Sequence, residues 1–132
     1  MPRFVLLEHT GAPDDPAGLH YDLLLEQGTE CRTWRLAGIP QAGGPDVVAV
    51  ELPPHRLAWL DQVAGEVSGG RGFARRIDAG TYEPAAPPAA DESPDAVHVT
   101  LNGAQLSGRL MLRAATDRWV VRFVGPSQVA HA

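Results

Sequence analysis

Glycine and proline cut this chain into pieces too short for ordinary helices. Fourteen glycines and twelve prolines are spread through 132 residues. Between them stand brief apolar runs such as FVLL (4–7), LLL (23–25), VVAV (47–50) and WVV (119–121). Runs of that length, bounded by turn formers, make strands. The expected fold class is therefore all-β, or β-rich, with many turns. Strands are expected at 3–9, 19–26, 31–36, 46–52, 96–102, 105–114 and 118–124, and QGTE (27–30) reads as the hairpin turn between the second and third. Residues 72–78 and 81–83 carry weaker strand patterns. Leu57, Leu60 and Val63/Ala64 recur at helical spacing, which predicts a short helix within 55–67. Residues 84–95, rich in proline and acidic side chains, read as a loop. Trp34, Trp119, Phe4 and Phe123 lie in strand-like runs and are expected to pack.

The length predicts one domain, residues 1–126, able to bury a core without disulfides, and a frayed tail at 127–132. Cys31 is the sole cysteine, so no intrachain disulfide can form, and a cytoplasmic location is expected. No signal peptide and no apolar run of membrane-spanning length is visible. A formal net charge of −5 argues against a dedicated tight DNA binder. A nucleic-acid end can still be held by a local cluster of arginines, the only basic residue type in the chain besides histidine.

Polar residues stand out where a strand should be apolar. In LHYDLLLE, alternation places His20, Asp22, Leu24 and Glu26 on one face and Tyr21, Leu23 and Leu25 on the other. In the first strand His9 shares a face with Val5 and Leu7. Two readings compete. His20 and Asp22 form a solvent-facing polar pair, or, with His9 beside them if the strands pair, they form a three-ligand site for a divalent cation with positions left for water and substrate. The second reading admits two chemistries: a cupin-like oxygenase, which needs a further histidine and has only His98 to offer, and a metal-assisted hydrolase.

Segments spread along nearly the whole chain, in order, favour the hydrolase. RFVLLEH, LHYDLLLE and TWRL, then PPHRLAWL, IDAGTYEP and the closing LNGAQLSGRLMLRAATDRWVVRFV, resemble the 3′-phosphoesterase domain of bacterial DNA ligase D. The resemblance implies a compact antiparallel β-barrel with one or two short helices. It implies removal of 3′-phosphates and terminal ribonucleotides from nucleic-acid ends with Mn²⁺, or with another divalent metal such as Zn²⁺. It carries the metal ligands onto His9, His20 and Asp22, a further active-site histidine onto His55, and an aromatic wall onto Trp59. The implied partners are nucleic-acid 3′ ends and repair proteins such as a ligase or polymerase. On residue type alone, His55 reads as an exposed loop histidine after two prolines.

The departures concern phosphate. Leu24 stands where the family has an arginine that helps hold it, and a leucine cannot clamp an oxyanion. The family's acidic residue ahead of the first strand has no counterpart, and DVVAVEL lacks an expected arginine. The loop between His9 and His20 is longer and contains Asp14 and Asp15, whose charge is expected to discourage a polyanion. Either the clamp is rebuilt, from Arg71, Arg75 or Arg76, or from Arg109 and Arg113, or the chain is a catalytically impaired relative serving as a metal-binding or interaction module. Glu26 is expected at the rim, Cys31 inert, His98 packed or at the surface, and His131 in the tail.

Overall fold

The computed structural model describes residues 1–86 and 95–125. Nine strands follow one another: β1 (Arg3–Thr10), β2 (Leu19–Gln27), β3 (Glu30–Leu36), β4 (Val47–Arg56), β5 (Ala64–Glu66), β6 (Phe73–Pro84), β7 (Val97–Gly103), β8 (Ser107–Ala114) and β9 (Trp119–Val124). They pair in the order β1-β2-β3-β4-β9-β8-β7-β6, and β6 returns to β1, so eight antiparallel strands close a barrel. Short β5 flanks the start of β6. Closure removes the unpaired edges that an open sheet would expose. Among the described residues, no helix is long and apolar enough to cross a membrane.

Alternation sorts the apolar residues into two clusters. Phe4, Leu6, Leu23, Leu25, Trp34 and Leu36 point into the barrel and meet Leu101, Leu110, Leu112, Val121 and Phe123 from the far wall. Trp119 stacks edge-on against Trp34 at a centroid separation of 5.5 Å. Val5, Leu7, Leu24 and Cys31 point outward, yet are buried, because a 3-10 turn at Leu57–Asp61 lays Leu60, with Leu57 and Trp59, over them. Strands covered on both faces read as continuous apolar runs instead of alternating ones; hence FVLL and LLL. Burial lifts the Cys31 thiol above its ordinary range, which keeps it an unreactive packing residue.

A buried carboxylate fixes the turn after β7. Asp78 accepts hydrogen bonds from the backbone N–H groups of Ala104 (3.0 Å), Gln105 (3.1 Å) and Leu106 (2.7 Å). It sits at a bulge where β6 skips Ile77 in its pairing with β1.

Three expectations need correction. The helix within 55–67 is only the five-residue 3-10 turn, because its apolar stripe has nothing to cover beyond Leu60; Val63 is 62% exposed. The Arg76 guanidinium instead donates to the carbonyls of Leu60 and Gln62, pinning the end of the turn before the chain enters β5. Residues 72–78 and 81–83 belong to one twelve-residue strand, β6. The fourth strand runs on through Pro53 and Pro54 to Arg56. Most of the loop at 84–95, the tail at 127–132 and His131 lie outside the described residues.

Candidate metal centre

Pairing of β1 with β2 sets Leu7 opposite Asp22 and His9 opposite His20. All four share the outer face of the sheet, one step beyond the apolar patch of Val5 and Leu24. The two imidazoles meet edge to face with ring centroids 4.8 Å apart. His20 and Asp22 are buried, His9 partly so. One ligand atom from each of the three lies within 4.8 Å of the other two.

The hydrogen bonds around the rings fix which nitrogen carries the proton. His9 Nε2 lies 2.7 Å from the Arg71 carbonyl oxygen, which can only accept, so Nε2 carries the hydrogen and Nδ1 keeps a lone pair. That Nδ1 faces Asp22 Oδ2 at 3.4 Å. His20 Nδ1 lies 2.8 Å from Asp15 Oδ2 and donates to it, which leaves the Nε2 lone pair facing Asp22 Oδ1, also at 3.4 Å. His20 Nε2 and Asp22 Oδ1 are both buried, and neither has a hydrogen-bond partner among the described residues. Lone pairs of two imidazoles therefore converge on the two oxygens of one carboxylate. A cation between them, or a proton on His20, relieves that arrangement. An outer carboxylate and an outer carbonyl orienting the rings from behind are the supports that metal-binding histidines use.

The protonation balance reflects the same competition. Burial pushes the His20 imidazole down, but the nearby carboxylates of Asp22 and Asp15 outweigh it, Arg35 opposing them, and the net shift is upward. The hydrogen bond from His20 holds the Asp15 carboxyl below its usual range.

The loop carrying Asp15 is wound on itself. Gly11 N–H donates to the Gly18 carbonyl, Asp15 N–H to Ala12 and Gly18 N–H to Asp15, while Asp15 Oδ1 accepts from Ala17 N–H at 3.1 Å. Asp15 is thus fixed by its own turn, and its second oxygen is aimed at His20. The Arg71 carbonyl is placed by the turn before β6. Gly72, at φ +96°, lies so close to the end of β1 that a Cβ there would collide with the Thr10 carbonyl.

His55 reaches the same side through a bulge. Thr33 pairs with Leu52 and Cys31 with His55, so two steps along β3 match three along β4. Strict alternation from Leu52 would send His55 to the opposite face; the extra residue turns it back to the Cys31 side. Pro53 and Pro54 fill the irregular stretch, where a missing N–H breaks no ladder bond. His55 Nδ1 donates to the Pro53 carbonyl at 3.1 Å, leaving Nε2 for other partners. Trp59 lies against it with ring centroids 6.1 Å apart.

His9, Asp22, Leu7, His55, Trp59 and Arg35 line a cleft of about 580 Å³, a size typical of small-ligand sites. The sequence-expected residues divide here. His9, His20 and Asp22 come together, and His55, Trp59 and Arg71 line the cleft with His9 and Asp22. Arg71 is held within its own loop, donating to the carbonyl and hydroxyl of Ser68. Arg75 pairs with Glu8, and Arg76 holds the 3-10 turn. Neither lines the cleft, nor do Arg109 and Arg113 on β8. His98 is buried on β7, apart from the three donors, so the ligand that a cupin-like oxygenase requires is not supplied. Of the two loop carboxylates, Asp15 engages His20, while Asp14 stays exposed at the cleft and faces Arg35 at 3.4 Å. The sequence reading passes over Arg35 and the support from Asp15. Strand register from the Gly28–Thr29 turn holds the signal for the first, because Gln27 pairs with Glu30 and Asp22 therefore with Arg35.

Fold and site together define a closed antiparallel β-barrel with a His–His–Asp donor set beside a cleft on its outer wall. The family model of the DNA Ligase D 3′-phosphoesterase domain matches residues 12–113, and the chain belongs to that family. The match takes in His20, Asp22 and His55; His9 precedes it. No curated protein matches the chain at a significant level.

Proposed function

We infer that this protein is a metal-dependent phosphoesterase that trims phosphate from the 3′ ends of nucleic acids in the cytoplasm, in the service of repair. The observation that carries the metal is the convergence of imidazole lone pairs from His9 and His20 on the two oxygens of Asp22, with the outer nitrogens already committed to Arg71 and Asp15. Family membership supplies the reaction class.

His9, His20 and Asp22 would hold a divalent cation, Mn²⁺ first among the candidates, which would supply positive charge to the phosphoryl oxygens. The chain's own groups do the rest. Water attacks phosphorus, the bond from phosphorus to the 3′ oxygen breaks, and the departing oxygen needs a proton. His55 on the cleft wall, as the imidazolium with Nδ1–H on the Pro53 carbonyl and Nε2–H toward the cleft, gives that proton, and its Nε2 is recharged by the proton that the attacking water loses. Trp59 offers a flat surface to the terminal sugar or base. Leu7 and Leu24 form a dry floor that strengthens each charge interaction above it.

The test is a 3′-phosphorylated primer-template incubated with the Mn²⁺-loaded protein, alongside calorimetry with Mn²⁺ and Zn²⁺. Wild type should bind metal and release phosphate, and His20→Ala should do neither. Metal binding that survives His20→Ala removes the proposed centre. Metal binding without turnover leaves the second reading, a relative that binds metal and nucleic acid or a repair protein but no longer hydrolyses.

A further inference from the structure

The geometry points to Arg35 as the group that grips the phosphoryl oxygens, with Asp14 holding its place when no substrate is bound. The inference rests on the phosphoesterase reading and adds a residue to it.

Leu24 is fully buried and cannot reach an anion. Arg71, Arg75 and Arg76 are tied to Ser68, Glu8 and the 3-10 turn. Arg56 lines the cleft as well, but it stands opposite Glu30, at the other end of β3 from the partner of Asp22. Arg35 differs from all of these. It is the direct cross-strand partner of Asp22, shares its face, and lines the cleft. Opposed side chains on neighbouring strands start only about 5 Å apart, so the guanidinium is delivered beside the donor set. Its influence on both His20 and Asp15 fits that position.

The guanidinium is also under-used. Its Nε is buried and has no hydrogen-bond partner among the described residues. Its Nη2 meets the two oxygens of Asp14 at 3.4 Å each, longer than a good charge-assisted bond. The Asp14 side chain is 71% exposed, that of Arg35 only 23%. A half-desolvated planar cation is thus covered by a loosely held, solvated carboxylate. A phosphoryl group presents paired oxygens to such a fork more closely than Asp14 does, and Asp14 can swing into water when one arrives.

Calorimetric titration of the Mn²⁺-loaded protein with inorganic phosphate tests this without relying on turnover. Arg35→Met keeps the aliphatic stem and should weaken phosphate binding about ten- to hundred-fold, the effect of losing a charge-assisted hydrogen bond. Mn²⁺ affinity should be no weaker than wild type, since a positive charge beside the cation has gone. Arg35→Lys should recover part of the loss. Asp14→Asn should move the other way, tightening phosphate binding a few-fold by removing the competitor. Phosphate binding unchanged in Arg35→Met, or weakened in Asp14→Asn, overturns the assignment while leaving the phosphoesterase reading intact. Failure of Mn²⁺-loaded wild type to bind phosphate overturns both.

Discussion

Replacing Asp15 tests the proposed metal centre from behind, without touching one of its three donors. Asp15 Oδ2 takes the Nδ1 proton of His20 at 2.8 Å, and Oδ1 is occupied by Ala17 N–H. In Asp15→Ala the ring loses its anchor, and the tautomer with hydrogen on Nε2, which points a proton at Asp22, is no longer disfavoured. Outer supports of this kind are worth about ten- to a hundred-fold in metal affinity, or roughly 1.4–2.7 kcal/mol. The expected result is a Kd for Mn²⁺ weaker by that factor, with the number of sites still one. Asp15→Asn should be no better. An amide cannot accept from His20 and from Ala17 N–H at once, because only one of its two ends is an acceptor. Calorimetry on metal-stripped protein at fixed pH reads the constants, and thermal melts of the metal-free variants confirm that the barrel is formed. A Kd equal to wild type in both variants would refute the tautomer argument. It would leave the three donors as neighbours and not as a prepared site.

Other outcomes follow from the same coordinates. The raised His20 pKa gives the metal-free protein stability that is full below the ordinary histidine pKa of about 6.5 and is lost as pH rises through the higher folded value; the cation needs the neutral ring, so the gain on adding Mn²⁺ should grow over that same rise, and melts at pH 6 and 8 with and without metal should change in opposite directions. Asp78→Ala removes the acceptor of three backbone N–H groups and should cost about 3 kcal/mol, roughly 10 °C in Tm; a loss below about 1 kcal/mol by urea denaturation would show that the β7–β8 turn is held by other means. Leu24→Arg restores the family's residue type, but at a fully buried position under Leu60. Denaturation should report a loss of about 2–3 kcal/mol, and phosphate titration should report no tighter binding.

Much of the barrel can be read from the sequence because its devices are local. Short apolar runs, bounded by glycine and proline, mark most of the strands, and alternation alone puts His20 with Asp22 and His9 with Leu7. The His–His–Asp cluster is legible for that reason: two paired strands, each with a fixed parity. Where the reading falls short, the cause is tertiary. Leu57 and Leu60 have helical spacing, yet there is surface for only one turn to cover. Pro53 and Pro54 look like the end of a strand because a bulge is invisible to a period-two pattern, and His55 then looks like a loop residue. Arg35 is one of eleven arginines, distinguished only by register, and register depends on counting back from the Gly28 turn to Asp22. Arg75 and Arg76 attract attention as a pair, but one answers Glu8 and the other holds a chain reversal.

The main core fills the inside of the closed barrel, while the donors stand on the outside of its wall. An ion held there would be a visitor to a finished building: it could arrive, leave or be exchanged without dismantling the walls. If the proposed centre works as inferred, a cell short of its ion would hold an intact but idle pool of this protein, ready to start work as soon as the ion returned, with no new synthesis.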